Sequence, residues 1–207
     1  MHKRKLAILG ASGHGKVVAD IALLTGIYQQ VFFLDDNNKQ QEIMGIPIIG
    51  GCDSVDELIQ DADFFVAIGN AKVRKRLLED LVKKGASIAT LIHPDAIVGS
   101  GVEIGIGSVV MAGTVLNAEC KIGQGCIVNT CASVDHDCVL GDYVHVSVGA
   151  HLAGTVTVGE STWIGAGAIV NNNVCITNAC MIGSGSVVIN DINVQGTYVG
   201  VPAHKLK

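Results

Sequence analysis

Branched aliphatic side chains recur every six residues through the second half of the chain. They are Val98, Ile104, Val110, Leu116, Ile122, Val128, Val134, Leu140, Val146, Leu152, Val158, Ile164, Val170, Ile176, Ile182 and Val188. A six-residue period matches neither the period of a helix nor the two-residue alternation of an ordinary strand. It is the spacing of a hexapeptide solenoid, in which three short strands make one coil and coils stack through parallel backbone hydrogen bonds. The register fixes what faces inward between residues 96 and 192. It also defines a second slot, four residues after an aliphatic, held by Ser108, Cys120, Cys126, Ala132, Cys138, Ala150, Ala168, Cys180 and Ser186. That slot is expected to take small side chains.

The first 94 residues carry a different pattern. Short apolar runs read as strands: LAIL at 6–9, VFFLDD at 31–36, IPIIGG at 46–51 (a strand or edge hairpin), DFFVAIGN at 63–70 and SIATLIHP at 87–94. KVVADIALLTG (16–26), SVDELIQ (54–60) and AKVRKRLLEDLVKKG (71–85) read as helices, with Ser54 a candidate N-cap, Glu57 three residues on, and Gly85 a stop. Strands alternating with helices predict a small parallel sheet of Rossmann type. Pro94 marks the handover. Two domains are therefore expected, an α/β Rossmann-like sheet over 1–94 and a parallel β-solenoid with a C-terminal tail over 95–207.

Composition narrows the function classes. Glycine, at 26 of 207 residues, is concentrated in an N-terminal loop and at turns of the repeat, and aromatics are scarce at 4%. The net charge of −5 and the lack of a basic tract give no general attraction to nucleic acid. Anionic ligands would need local backbone donors instead. No apolar stretch approaches the ~18 residues of a membrane span, and the start shows no signal-peptide pattern. Four of the seven cysteines fall in the small inward slot, where a thiol acts as a small hydrophobe. No zinc-type Cys/His spacing is present. A reduced cytoplasmic protein without disulfides, metal or membrane insertion is expected.

Two places concentrate polar chemistry. Gly10-Ala-Ser-Gly13-His-Gly15 follows a strand and opens a helix, so its backbone N–H groups could meet a phosphate at the helix N-terminus. Asp35 and Asp36 end the next strand, where carboxylates can accept from a ribose hydroxyl or a base N–H. Gly69 and Asn70 end a third strand on the same edge, and Arg74 could reach a phosphate or stand in solvent. One half of the usual dinucleotide fold is present, which suits a mononucleotide or nucleotide sugar. In the solenoid, Asn129, Asp135, His136, Asp137, His145 and His151 gather in one stretch. A carboxylate beside His136 raises its basicity, as a general base requires. The three histidines fall on different faces of a triangular coil and could meet at a metal only across a subunit boundary. Cys131 is the alternative nucleophile for a Cys–His acyl-enzyme.

The motifs GASGHG (10–15), FLDD (33–36), AIGN (67–70), VDHDCVLGDYVHVSVGAHLAG (134–154) and YVGVPAHKLK (198–207) span both domains in order. Together they resemble the sugar O- and N-acetyltransferases related to sialic acid O-acetyltransferase. Within these, the chain is most similar to the bacterial UDP-4-amino-sugar N-acetyltransferases of bacillosamine synthesis. The resemblance implies a left-handed parallel β-helix, a homotrimer, and acetyl-CoA bound between adjacent β-helices. It implies His136 as catalytic base and Asp137 as the acid that raises its basicity, here Asp where Glu is found in the family. It implies His145 and Asn129 near the thioester, with Gly154, Ala166 and Ser184 along the acetyl-CoA arm. For the UDP-linked sugar it implies Ser12, Gly13, His14, Asp35, Asp36, Gly69 and Lys72, the last standing where the family has a different residue.

The reaction so implied is acetyl transfer from acetyl-CoA to the C4 amine of a UDP-linked 4-amino-4,6-dideoxy sugar. Three alternatives stand beside it. One is O-acetylation of sialic acid or another sugar, or N-acetylation of a dTDP- or GDP-amino sugar. The others are a non-catalytic sugar-nucleotide-binding solenoid and an NAD-dependent oxidoreductase built on the glycine loop. Exposed Val148 and Trp163 on a flat side would favour lateral packing of subunits.

Overall fold

A computed structural model describes residues 5–206; residues 1–4 and Lys207, at the outer ends of the two expected domains, lie outside the described residues. The chain divides after residue 94 into two compact units.

In the first unit, β1 (Lys5–Leu9), β2 (Gln30–Leu34), β3 (Glu42–Ile43), β4 (Ile46–Gly50), β5 (Ala62–Val66) and β6 (Ser87–Ile88) form one sheet in the order β3-β4-β2-β1-β5-β6. All pairings are parallel except the β3–β4 hairpin at the edge. The β1–β2 register runs from Lys5 opposite Gln30 to Leu9 opposite Leu34. Both faces of the central strands are buried, Leu6, Ile8, Phe33, Phe64 and Phe65 among them, which is why these strands are apolar runs without alternation. Helices α1 (Gly13–Leu24), α2 (Val55–Leu58) and α3 (Ala71–Lys83) complete the unit.

Three local expectations change. Helix α1 begins at Gly13, three residues earlier than the apolar pattern indicates, so the glycine segment supplies the first turn of the helix and leaves a shorter loop. Ser54 makes no capping hydrogen bond, because Cys52–Ser54 already forms a 3₁₀ turn that leads into α2. SIATLIHP does not form one strand; it breaks into Ser87–Ile88 and Leu91–Ile92.

The second unit is a triangular parallel solenoid. Two-residue strands pair with those eighteen residues on, as in Val115–Leu116 with Ser133–Val134, and Ser133–Val134 with His151–Leu152. The first face contains Val109–Val110, Ile127–Val128, His145–Val146, Trp163–Ile164 and Met181–Ile182. The second runs from Ile97–Val98 to Val187–Val188, and the third from Glu103–Ile104 to Cys175–Ile176. From Val110 onward every six-residue aliphatic is buried, whereas Val98 is exposed and Ile104 is intermediate. From Ser108 onward the second inward slot is buried, but it takes Val144, Val156 and Val174 as well as small residues. Its polar members bridge backbone: Ser108 Oγ donates to Gly123 O and accepts from Cys126 N, both at 2.8 Å. Cys138 Sγ makes the same pair of contacts at 3.2 and 3.4 Å. Thiols thus stand in for hydroxyls, and burial pushes the Cys138 thiol up to about 11, so it stays protonated.

Each corner turns through one residue in the left-handed region, three positions after the aliphatic. Gly101, Gly107, Gly113, Glu119, Gly125, Cys131, Asp137, Tyr143 and the sixth residue in turn up to Gly185 all have φ between 53° and 71°. That geometry favours Gly, Asn and Asp, and it accounts for Gly101, Gly107, Gly113, Gly125, Gly149, Gly167 and Gly185.

Along one column of the second slot, Ala132, Ala150 and Ala168 stack on successive coils, all at 0% exposure. Ala150→Leu should overfill that column and cost about 1–3 kcal/mol, read as a lowered Tm; an unchanged Tm would show that the column has room.

Candidate active site at two corners of the solenoid

The catalytic candidates follow from the corner geometry. At the corner between the second and third faces, the chain leaves Ser133–Val134, passes through Asp135 and His136, and turns at Asp137, whose φ is 58°. The left-handed turn brings the Asp137 carboxylate back beside the preceding imidazole, and His136 Nδ1 lies 2.7 Å from Asp137 Oδ2. With Nδ1 donating, Nε2 is left as the acceptor. The hydrogen bond to Asp137, reinforced by the Asp135 charge, holds the His136 pKa above its ordinary value. Asp135 Oδ1 accepts from the His136 backbone N–H at 2.8 Å, and this bond first, then the Asn117 amide, holds its pKa below the usual carboxylate value.

Eighteen residues on, the same corner carries Gly154. A Cβ built there would lie 2.6 Å from His136 Nε2. Glycine at 154 therefore makes room for the imidazole ring, a role distinct from contacting acetyl-CoA.

The other candidates sit elsewhere on the triangle. His145 lies on the first face, stacked on Trp163 with centroids 4.7 Å apart and planes at 26°, and Asn129 Nδ2 is 3.3 Å from its Nε2. Trp163 donates to Ser147 Oγ at 2.6 Å. Trp163 is thus half-buried support for His145 and not a free apolar surface; Val148, at 50% exposure, is the exposed one of the expected pair. Asn129 and the exposed Ala166 and Ser184 line the corner between the first and second faces. Cys131 occupies the left-handed slot of that same corner, one corner away from His136. His151 is on the second face and bonds Ser133 Oγ through Nδ1 at 2.8 Å. Within one chain, the expected acetyl-CoA residues thus divide: Asn129, Ala166 and Ser184 at one corner, Gly154 at the next beyond the second face, and His145 on the first face. Among the described residues no group of three His, Cys, Asp or Glu side chains is placed to hold a metal.

In the first unit, Ser12, Gly13, His14, Asp35, Asp36, Gly69 and Lys72 all lie at the carboxyl edge of the parallel strands or in the first turn beyond it. The glycines divide their work. A Cβ on Gly10 would lie 2.9 Å from Ala67 O, and one on Gly15 would lie 2.1 Å from Gly10 O, so Gly10 lets the end of β1 approach the end of β5 and Gly15 lets the helix pack on the end of β1. Gly13 faces open space. Asp35 is already engaged: its carboxylate accepts from Ala11 N at 2.8 Å, Asn37 N at 2.9 Å and Asn38 N at 3.0 Å. Burial raises its pKa, but these three bonds outweigh it and the net shift is downward. Asp35 therefore ties the β1–α1 loop to the end of β2. Asp36 Oδ1 accepts from Cys52 N at 2.7 Å.

Arg74 is neither a phosphate ligand at the surface nor a solvated arginine. It is 1% exposed, and its Nη1 donates to Ile68 O and Gly69 O, each at 2.8 Å. It clamps the segment that presents Gly69. Burial, and then the Arg74 charge, push the His14 pKa down to about 4, so the ring is neutral at pH 7; its buried Nε2 has no partner among the described residues.

Known proteins resemble the chain over one or both units. Residues 5–81 match the PglD N-terminal domain family. The acetyltransferase domain of PglB from Neisseria gonorrhoeae, in complex with acetyl coenzyme A, is 42% identical with a TM-score of 0.96, covering 99% of this chain and 100% of that one. Perosamine N-acetyltransferase from Caulobacter crescentus, in complex with CoA and GDP-perosamine, is 35% identical with a TM-score of 0.94, covering 98% and 97%. The UDP-N-acetylbacillosamine N-acetyltransferase of Bacillus subtilis (strain 168) is 39% identical over 112 residues, 53% of this chain and 52% of that protein. The match thus spans about half the length of that curated relative. The chain belongs to this family of sugar acetyltransferases. Among its described residues no helix is long and apolar enough to cross a membrane.

The Gly154 contact predicts a specific lesion. Gly154→Ala should displace the His136 ring and lower kcat by roughly 10²-fold, the order expected for ångström misplacement, with Tm little changed. Wild-type kcat in that variant would show that the ring does not depend on the gap.

Proposed function

We propose that the protein is an acetyl-CoA-dependent N-acetyltransferase acting on the C4 amine of a UDP-linked 4-amino-4,6-dideoxy sugar of bacillosamine type. The observation that carries the reading is the His136–Asp137 pair at 2.7 Å, with Nε2 left as acceptor over Gly154. The relatives' names support an amino-sugar acceptor. Acetyl-CoA is the acetyl donor; this chain's residues supply position and proton transfer. The amine lone pair forms a bond to the thioester carbonyl carbon, and the carbonyl π electrons move to oxygen. His136 Nε2 takes the ammonium proton. The tetrahedral species collapses, the C–S bond breaks, and the proton passes to the departing sulfur. His145, steadied by Trp163 and Asn129, is set beside the thioester, and backbone N–H groups support the oxyanion. No acyl-enzyme is required, and Cys131 has no part.

The acetyl-CoA set is divided between two corners of one chain, so we further propose that it closes between copies. In a homotrimer on a left-handed β-helix, the His136, Asp137 and Gly154 corner of one subunit meets the Asn129, Ala166 and Ser184 corner of the next. Val148 at 50%, Ile169 at 43% and Ile97 at 63% exposure supply apolar surface for that packing. The nucleotide end of the sugar is assigned to Ser12, Gly13, His14, Asp36, Gly69 and Lys72, with Asp35 holding the loop in shape. Free buried thiols at Cys120, Cys126, Cys138 and Cys180 suit a reducing compartment, and we assign the protein to the cytoplasm.

A second reading has one observation in its favour: the Caulobacter relative was found with GDP-perosamine, so a GDP-linked 4-amino sugar is the leading alternative. Acetyl-CoA turnover should be measured on UDP-, GDP-, dTDP- and CMP-linked sugars, and the acetyl group located on the product. Acetylation of a UDP-linked C4 amine supports the proposal; a clear preference for the GDP-linked amine, or for a hydroxyl, overturns the substrate.

Two variants test the mechanism. His136→Ala should lower kcat by about 10²–10⁴-fold, the usual worth of a positioned base, while nucleotide-sugar binding persists. The base must be unprotonated to work, so kcat/KM should rise with pH through the raised His136 pKa. Asp137→Asn removes the main cause of that raising, so the rise should move to lower pH while the maximal rate falls. A rise that stays in place would detach Asp137 from the base.

A further inference from the structure

The second corner of the solenoid holds a feature that the reaction as written does not use. Residues eighteen apart occupy equivalent positions on successive coils. One position after the core aliphatic, the third corner carries Gly105, Gly123, Gly141 and Gly159, where an added Cβ would meet backbone of the next coil at 2.5–2.7 Å. At the second corner the same slot carries Gly99, Asn117, Asp135, Ala153, Asn171 and Ile189. Polar side chains occupy it on two consecutive coils, immediately beside the proposed base. Asn117 Nδ2 donates to Asp135 Oδ1 at 2.7 Å, and the same oxygen accepts the His136 backbone N–H at 2.8 Å. The neighbouring slot, which holds His136, has Ala118 on one side and Gly154 on the other. No bulky residue of its own column therefore steadies the ring. Its backbone is held by coil-to-coil bonds, Asp137 N to Ala118 O at 3.1 Å and Thr155 N to His136 O at 2.9 Å, and by Asp135.

We propose that Asn117 is a positioning residue for acetyl transfer, acting through Asp135 to fix the turn that presents His136. The proposal rests on His136 being the base. Asn117 touches neither the imidazole nor, in this assignment, either substrate. It fixes the Asp135 carboxylate, which otherwise could rotate into solvent, in the orientation that receives the His136 N–H. Asn117 is exposed, and an exposed polar pair contributes little to folding stability. Its effect is therefore expected in the rate and not in the melting temperature. Asp135 adds a second effect, since its charge helps raise the His136 pKa.

The test is a double-mutant cycle of Asn117→Ala and Asp135→Ala, with Asp135→Asn as the isosteric variant. Asn117→Ala should lower kcat roughly tenfold, in line with a small misplacement of the base, with KM for both substrates and Tm unchanged. In the Asp135→Ala background it should have no further effect. Asp135→Asn keeps an acceptor oxygen and loses the charge, so the His136 titration followed by NMR should move to lower pH. Asn117→Ala, which keeps the charge, should leave that titration near its wild-type position. A wild-type kcat in Asn117→Ala, or effects that simply add, overturns the proposal. If Asn117→Ala lowers Tm, Asn117→Ser decides instead, because it keeps a short donor and should recover most of the rate. The NMR titration needs no turnover. A wrong acceptor sugar would leave it intact, whereas a titration unmoved in Asp135→Asn would count against the coupling itself.

Discussion

Parallel hydrogen bonding between residues eighteen apart is the constraint on which the acetyltransferase half of this molecule depends. Each coil is too thin to bury its own aliphatics, so stability comes from stacking, and stacking locks every corner into columns of equivalent residues. The consequences are local and severe. A column position that meets backbone of the next coil takes glycine along the third corner. A position that must turn the chain takes a left-handed residue every six. A position that faces solvent is free to carry chemistry, and His136 stands in such a place.

The base pair follows from that constraint and from one elementary electrostatic effect. The turn requires a positive φ at residue 137; aspartate tolerates it, and the resulting backbone brings its carboxylate to the imidazole of residue 136. The lattice that makes the fold rigid thus also fixes the tautomer of the proposed base, and Gly154 on the next coil leaves the ring its place. The first unit uses the same economy of means. Asp35 and Arg74 spend their charge on backbone groups of the chain, which shapes the edge loops and leaves Ser12, Gly13 and Asp36 to face outward.

Much of this was legible from residue order. The aliphatic period gives the solenoid, its inward positions and the burial of Cys120, Cys126, Cys138 and Cys180; the alternation of runs gives the parallel sheet. Other features were not legible, for physical reasons. Helix α1 starts at Gly13 although glycine is a poor helix former, because its first turn packs so closely on the end of β1 that a Cβ on Gly15 would lie 2.1 Å from Gly10 O, a tertiary contact that composition does not show. Arg74 looks like a surface group because a charge is rarely buried unless carbonyls receive it, and those of Ile68 and Gly69 are invisible in sequence. Trp163 looks exposed until its neighbour eighteen residues back, His145, is seen beneath it. Asn117 was missed although the signal was present: counting eighteen back from Asp135 finds it. The eighteen-residue count that relates apolar positions on successive coils relates the polar ones as well.

The central claim is that the catalytic base and the acetyl-CoA corner come from different copies of the chain. Subunit complementation tests it most directly. His136→Ala removes the base at one corner, and Ala166→Trp, at an exposed position, blocks the other. Each variant alone should be nearly inactive. Refolded together in equal amounts, random assembly pairs an intact base with an intact neighbouring corner at about one site in four of a cyclic trimer, so roughly a quarter of wild-type activity should return. Activity no greater than the sum of the two variants alone would contradict the account and return the whole site to a single chain.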